Sequence, residues 1–141
     1  MIRFIAVALL AATFQSPLPP SSNQAASGGP AFVAYYWRAK PGQAEAYNDY
    51  IKTVAVPIDD DARRAGAFEE VHTVTPASGT TDWTHLRMFR VKNAEAARGL
   101  GAALDAATAR IVPDEAKRKA NSERAATLRD FVRQEIWTEL K

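Results

Sequence analysis

No cysteine occurs anywhere in the 141 residues. Its absence excludes structural disulfides, thiolate nucleophiles, cysteine-ligated metal sites and a lipoprotein anchor together. A strong charge of one sign is missing too. The formal net charge is only +2, and no basic block with interleaved aromatics offers itself to nucleic acid. Arg3 is the one charged residue among the first thirty, so the remainder is closer still to neutral. There is no Ser-His-Asp arrangement, no phosphate loop and no zinc-ligand spacing. Gly99 and Gly101 sit inside a helical pattern rather than at a strand–turn–helix junction, so they are no nucleotide fingerprint. The sequence asks for no cofactor and no metal.

What is present fits one globular domain, with 47% hydrophobic and 24% charged residues. The front of the chain is different. Met1-Ile2-Arg3 is a short basic start, and Phe4–Phe14 is apolar throughout except for Thr13. A mature membrane-spanning helix needs about 20 such residues. The run therefore reads as the core of a secretory signal over residues 1–26, with cleavage after Ala26 or Ser27, or earlier near Ala12. The alternative is a retained membrane anchor. Pro, Ser, Gly, Asn and Gln dominate residues 16–30, and 27–30 is taken as linker. The domain then covers residues 31–141, has periplasmic or secreted localisation, and keeps no stable membrane span once the signal is removed. Without disulfides, so small a domain depends on its core alone and gains from burying a sheet face in a dimer.

The domain is organised by Ala31–Gly66. In Phe32–Ala39 one parity (Val33, Tyr35, Trp37, Ala39) is wholly apolar, whereas the other ends in Arg38. Lys40-Pro41-Gly42 turns the chain, and Tyr47, Tyr50, Ile51, Val54 and Ile58 recur at helical spacing. Pro57 predicts a kink or break. The triple carboxylate Asp59-Asp60-Asp61 points three ways around a helix, so it reads as a cap for a second helical piece ending at Gly66. Phe68–Thr75 and Trp83–Val91 are strands joined by a hairpin loop over 76–81. Asn93 caps a helix containing Leu100, Leu104, Ala107 and Ile111, whose Gly99 and Gly101 predict close packing. After Pro113, Asp114 caps a further helix to about Arg129, where Lys117-Arg118-Lys119 forms a solvated face. Phe131–Lys141 fits a helix and a strand equally.

This order of elements, with a Lys-Pro-Gly turn after the first strand, resembles the ferredoxin-like dimeric α/β barrel superfamily, which includes antibiotic-biosynthesis-monooxygenase-like domains. Val33–Gly42 (VAYYWRAKPG), Val56-Pro57-Ile58 with Arg63–Gly66, and Arg129–Leu140 (RDFVRQEIWTEL) look like a group of exported bacterial proteins with this plan. The resemblance implies an α+β fold: a β-α-β-β-α-β antiparallel sheet, helices on one face, and an extra helix before the last strand. It makes Phe131–Leu140 the fourth strand, and it implies a homodimer closing a barrel over the other face. Haem-degrading members carry an Asn on strand one and a His on the second main helix. Val33–Ala39 has no Asn and Ala94–Ile111 no His, which counts against haem chemistry.

In that arrangement Val33, Tyr35, Trp37, Thr84, Leu86 and Met88 lie under the helices. Tyr36, Arg38, Trp83, His85, Arg87 and Phe89 face the dimer cleft, where a small aromatic ligand would sit. A hairpin centred between Ser78 and Gly79 would set His72 opposite His85, Glu70 opposite Arg87, Phe68 opposite Phe89 and Val74 opposite Trp83. His85 and His72 are then the candidate proton acceptors, and Tyr36, Arg38, Glu70, Trp83, Arg87 and Phe89 the candidate ligand-binding residues. Two His with Glu70 make only a weak metal triad. The plainer alternative is a cross-strand ladder in which Arg38, Arg87 and Glu70 satisfy one another. Two functions follow: an exported dimeric small-ligand-binding or interaction domain, or a cofactor-independent monooxygenase-type enzyme acting on a small aromatic substrate. N-terminal sequencing of mature protein should find a start between about residues 13 and 31, and an intact Met1 in the cytosol would contradict export.

Overall fold

The computed structural model describes residues 28–140. The signal reading of 1–26 lies outside the described residues, as does the first residue of the linker. Four strands form one antiparallel sheet in the order β2-β3-β1-β4: β1 (Ala31–Ala39), β2 (Glu70–Val74), β3 (His85–Val91) and β4 (Arg129–Thr138). Helices α1 (Ala44–Tyr50), α2 (Val56–Arg64), α3 (Ala94–Ile111) and α4 (Glu115–Leu128) complete an α+β plan consistent with a ferredoxin-like fold. The extra helix precedes the last strand, and Phe131 belongs to a strand.

Local chemistry explains the boundaries. Pro41 and Gly42 make a tight turn closed by the Gln43 amide donating to the Lys40 carbonyl at 2.9 Å, with Gly42 at a φ of 73° that a side chain would resist. Asn93 caps α3 by accepting the Ala96 amide at 2.9 Å, and Asp114 caps α4 through the Lys117 amide at 3.1 Å. The expected kink takes a specific form. Between α1 and α2 the chain runs through a π-helical stretch, Ile51–Ala55, closed by the Val56 amide on the Ile51 carbonyl. Pro57 brings no amide to the ladder, and widening the preceding turn is one way to accommodate that loss.

Helices cover one sheet face. Beneath α2 and α3, Val33, Phe89 and Val91 pack with Ala62, Phe68, Ala97 and Leu100. Beneath α1 and α4, Tyr47, Tyr50 and Ile51 meet Ala125 and Leu128 over Trp37. On the opposite face Ala34, Tyr36 and Leu86 gather with Trp83, Met88 and Val132.

Three expectations are corrected. Directly opposed strand residues share a face. Pairing Val33 with Phe89, Tyr35 with Arg87 and Trp37 with His85 therefore places His85, Arg87 and Phe89 under the helices, and Leu86 and Met88 away from them. The β2–β3 register is also three residues from the expected one: Glu70 faces Arg90, Val71 faces Phe89, His72 faces Met88 and Val74 faces Leu86. An odd slip exchanges faces, so His72 and His85 stand on opposite sides of the sheet. The connecting loop is too long to impose a turn register, and β3 is held instead by β1 and by what Arg87 and Phe89 bury. Of the expected pairs only Phe68 and Phe89 meet, their rings 4.9 Å apart with Phe68 just ahead of β2. Third, a Cβ on Gly99 or Gly101 would meet nothing within 4 Å, so close packing does not account for them. Gly99→Ala should accordingly raise stability by about 1 kcal/mol, read as a higher denaturation midpoint, because the helix loses glycine's entropy cost without a clash.

Candidate functional site

The helix-covered face holds a cavity of about 340 Å³. Its floor is the sheet: Tyr35 and Trp37 from β1, Arg87 and Phe89 from β3. One wall comes from Tyr50, the π-helical Val54 and Ala55, and Ile58 and Asp59 of α2. The other comes from α3 through Gly101, Leu104, Asp105 and Thr108, and Arg129 at the start of β4 completes the lining. Gly101 and Asp105 are exposed, so α3 forms the mouth. The π-helical stretch thus contributes directly to the wall, and the missing side chain at Gly101 leaves the opening wide.

Two charges on the wall neutralise each other. Arg87 donates to the Asp59 carboxylate, and both are buried, at 8% and 4% exposure. Arg87 also donates through Nε to the Thr73 hydroxyl at 3.3 Å and lies 5.2 Å from the Phe89 ring centre. Burial pushes the Asp59 carboxyl above its usual range, against the opposing pull of Arg87. The Tyr35 hydroxyl, half-buried, is raised by burial and by Asp105.

Arg129 is held differently. Its guanidinium lies 3.6 Å over the Trp37 ring, 5.1 Å from Tyr47 and 5.7 Å from Tyr50, and donates to the Tyr47 hydroxyl at 2.6 Å. The neighbouring Asp130 approaches Lys40 at 3.7 Å instead. Among the described residues Arg129 has no carboxylate partner.

His85 stands beside this group without lining the cavity. It is 2% exposed, with its ring 4.6 Å from Tyr47. Nε2 lies 3.0 Å from the Asn48 side-chain oxygen, and Nδ1 lies 2.8 Å from the Thr84 hydroxyl, which itself accepts the Ala39 amide at 2.7 Å. A neutral ring donating from Nε2 and accepting at Nδ1 satisfies all of these contacts. Burial first, and the Arg129 charge second, hold its pKa below the ordinary 6.5.

Of the sequence-derived candidates, Arg87 and Phe89 line the cavity. Tyr36 and Trp83 meet on the far face, their rings 5.6 Å apart. Glu70 and His72 are exposed on the edge strand, 3.5 Å from each other. Arg38 is exposed, opposite Asp130. The Glu70–Arg87 pair is replaced by Asp59–Arg87, and Asp59 is therefore no simple cap. Trp37, Tyr35, Asp59 and Arg129 were not foreseen as site residues. A signal for Asp59 existed: alone of the three aspartates it lies three residues from Ala62, on the buried face of α2.

No protein-family model matches the sequence, and neither does any curated protein. Among solved structures, HapK from Hahella chejuensis superposes with a TM-score of 0.52 at 12% identity, covering 78% of this chain and 92% of that one. The chain shares the fold of HapK. An EthD-like protein from Ralstonia eutropha JMP134 matches at 16% identity over 79% and 92% of the two chains, with a TM-score of 0.49. An ethyl tert-butyl ether D (EthD) family protein from Bacillus halodurans C-125 gives 12% identity, 79% and 98% coverage, and 0.44. Identity this low carries the architecture and leaves the chemistry to the residues of this chain.

Arg87→Met should cost about 3–5 kcal/mol in a urea melt, since it leaves a buried carboxylate unpaired. Adding Asp59→Leu should recover much of that loss. A single substitution costing under about 1 kcal/mol would mean that Asp59 does not depend on Arg87.

Proposed function

We propose that this is an exported, dimeric small-ligand-binding domain whose cavity takes a small, partly aromatic molecule between sheet and helices. The observation that carries this reading is the cavity itself: 340 Å³, at the low end for ligand sites, walled by Tyr35, Trp37, Tyr50 and Phe89 with a few polar groups. Export rests on Arg3, the Phe4–Phe14 run and the likeness to exported proteins noted in the sequence. Dimerisation rests on the helix-free face, where Met88 and Val132 pack beside Trp83 and Trp137 is 40% exposed. Such a patch, rimmed by the Arg133–Glu135 and Arg133–Asp82 pairs, suits a second copy of the chain. The dimer cleft is then an interface, and the ligand site belongs to each protomer.

A second reading is supported by Asp59. A cofactor-independent monooxygenase-type enzyme needs a base beside an aromatic substrate, and this buried carboxylate on the cavity wall has its proton affinity raised by burial. His72 is on the other face and His85 behind Tyr47, so Asp59 is the better placed group.

Titration with 1-naphthol should quench tryptophan fluorescence saturably, with one site per chain. Gly101→Phe, which fills the mouth without a backbone clash, should weaken binding at least about tenfold at unchanged melting temperature. Undiminished binding in that variant would remove the ligand from this cavity. Oxygen uptake with 1-naphthol that disappears in Asp59→Asn would establish the enzymatic reading, and light scattering should give twice the chain mass.

A further inference from the structure

Arg129 is a cation held by rings. Its flat guanidinium is stacked on Trp37 and flanked by Tyr47 and Tyr50, and one of its five N–H groups is used, on the Tyr47 hydroxyl. Every fully buried polar side-chain atom among the described residues has a partner, so the remaining donors of Arg129 reach open space. That space includes the cavity, which Arg129 lines. Two carboxylates also line the cavity. Asp59 is taken by Arg87, and Asp105 is exposed on α3. Arg129 thus holds its positive charge among aromatic rings, with no carboxylate partner in the described residues, and its field is felt at His85, whose affinity for a proton it lowers.

We infer that Arg129 is an anion subsite, and that the cavity takes an aromatic carboxylate whose carboxyl group pairs with the Arg129 guanidinium. This inference rests on the cavity being a ligand site. The fork of N–H donors matches a carboxylate in two parallel bonds, a geometry that lysine cannot reproduce. Trp37 pins the fork before any ligand arrives, so little side-chain entropy is lost on binding. The ring of the ligand would lie on the floor formed by Tyr35 and Phe89, which meet edge to face at 5.8 Å.

The test is isothermal titration of the full chain with 1-naphthoate and with the neutral isostere 1-naphthamide. The wild type should bind naphthoate at least about tenfold more tightly. Arg129→Gln should abolish that preference, weakening naphthoate far more than naphthamide, and Arg129→Lys should keep only part of it. Equal affinities in the wild type would overturn the anion subsite and leave the cavity reading standing, whereas binding of neither probe would overturn both. Should Arg129→Gln fail to fold, NMR titration of His85 in the wild type decides. Bound naphthoate, by neutralising Arg129, should raise the His85 midpoint where naphthamide does not, and an unmoved midpoint would overturn the inference.

Discussion

The buried contact between Arg87 and Asp59 is the constraint around which this molecule is arranged. It ties the middle of the sheet to the second helix, and each partner is tolerable only because of the other. An arginine at that point of β3 must face the helices if it is to meet Asp59. This fixes the parity of the whole strand: His85 and Phe89 follow it inward, and Leu86 and Met88 go outward. Pairing with β3 then sets which residues of β2 lie on each side. The same contact makes one wall of the cavity polar without giving it net charge, so the charges left in the lining are Arg129 on the floor side and the exposed Asp105 at the mouth.

Much of the fold was legible in the residues. Alternation in β1 and the helical spacing from Tyr47 to Ile58 each pointed to one element of one type, and the caps Asn93 and Asp114 marked two helix starts. The fourth strand was not legible from periodicity, because Val132, Ile136 and Leu140 satisfy both periods, and only the likeness to a known architecture separated them. The error in β3 has a physical cause. Both parities of His85–Val91 contain apolar and polar residues, so hydrophobicity could not say which side was buried. The side was decided by a carboxylate 28 residues earlier, a contact without local trace.

The site was harder to read than the scaffold for a related reason. Aromatic residues announce a core and a ligand cavity in the same letters, and the distinction lies in the space left between them. Arg129 shows this well. In sequence it is one basic residue at a helix–strand junction. In space, Trp37, Tyr47 and Tyr50, all from the first twenty residues of the domain, converge on it. The histidines illustrate the converse. They are conspicuous by rarity, yet one is solvent-facing on an edge strand and the other is occupied by Asn48 and Thr84.

The widened turn at Ile51–Ala55 divides one helix into two segments whose angular phases are set separately. Tyr47 and Tyr50 aim at Arg129 from the first segment, while Asp59 meets Arg87 from the second. Removing one residue from the wide turn would restore a regular helix and rotate one group relative to the other by about 100°. The two ends of the cavity could not then both be addressed. The surplus residue acts as a spacer in angle rather than length, letting a single helix serve two separate arginines on the sheet below.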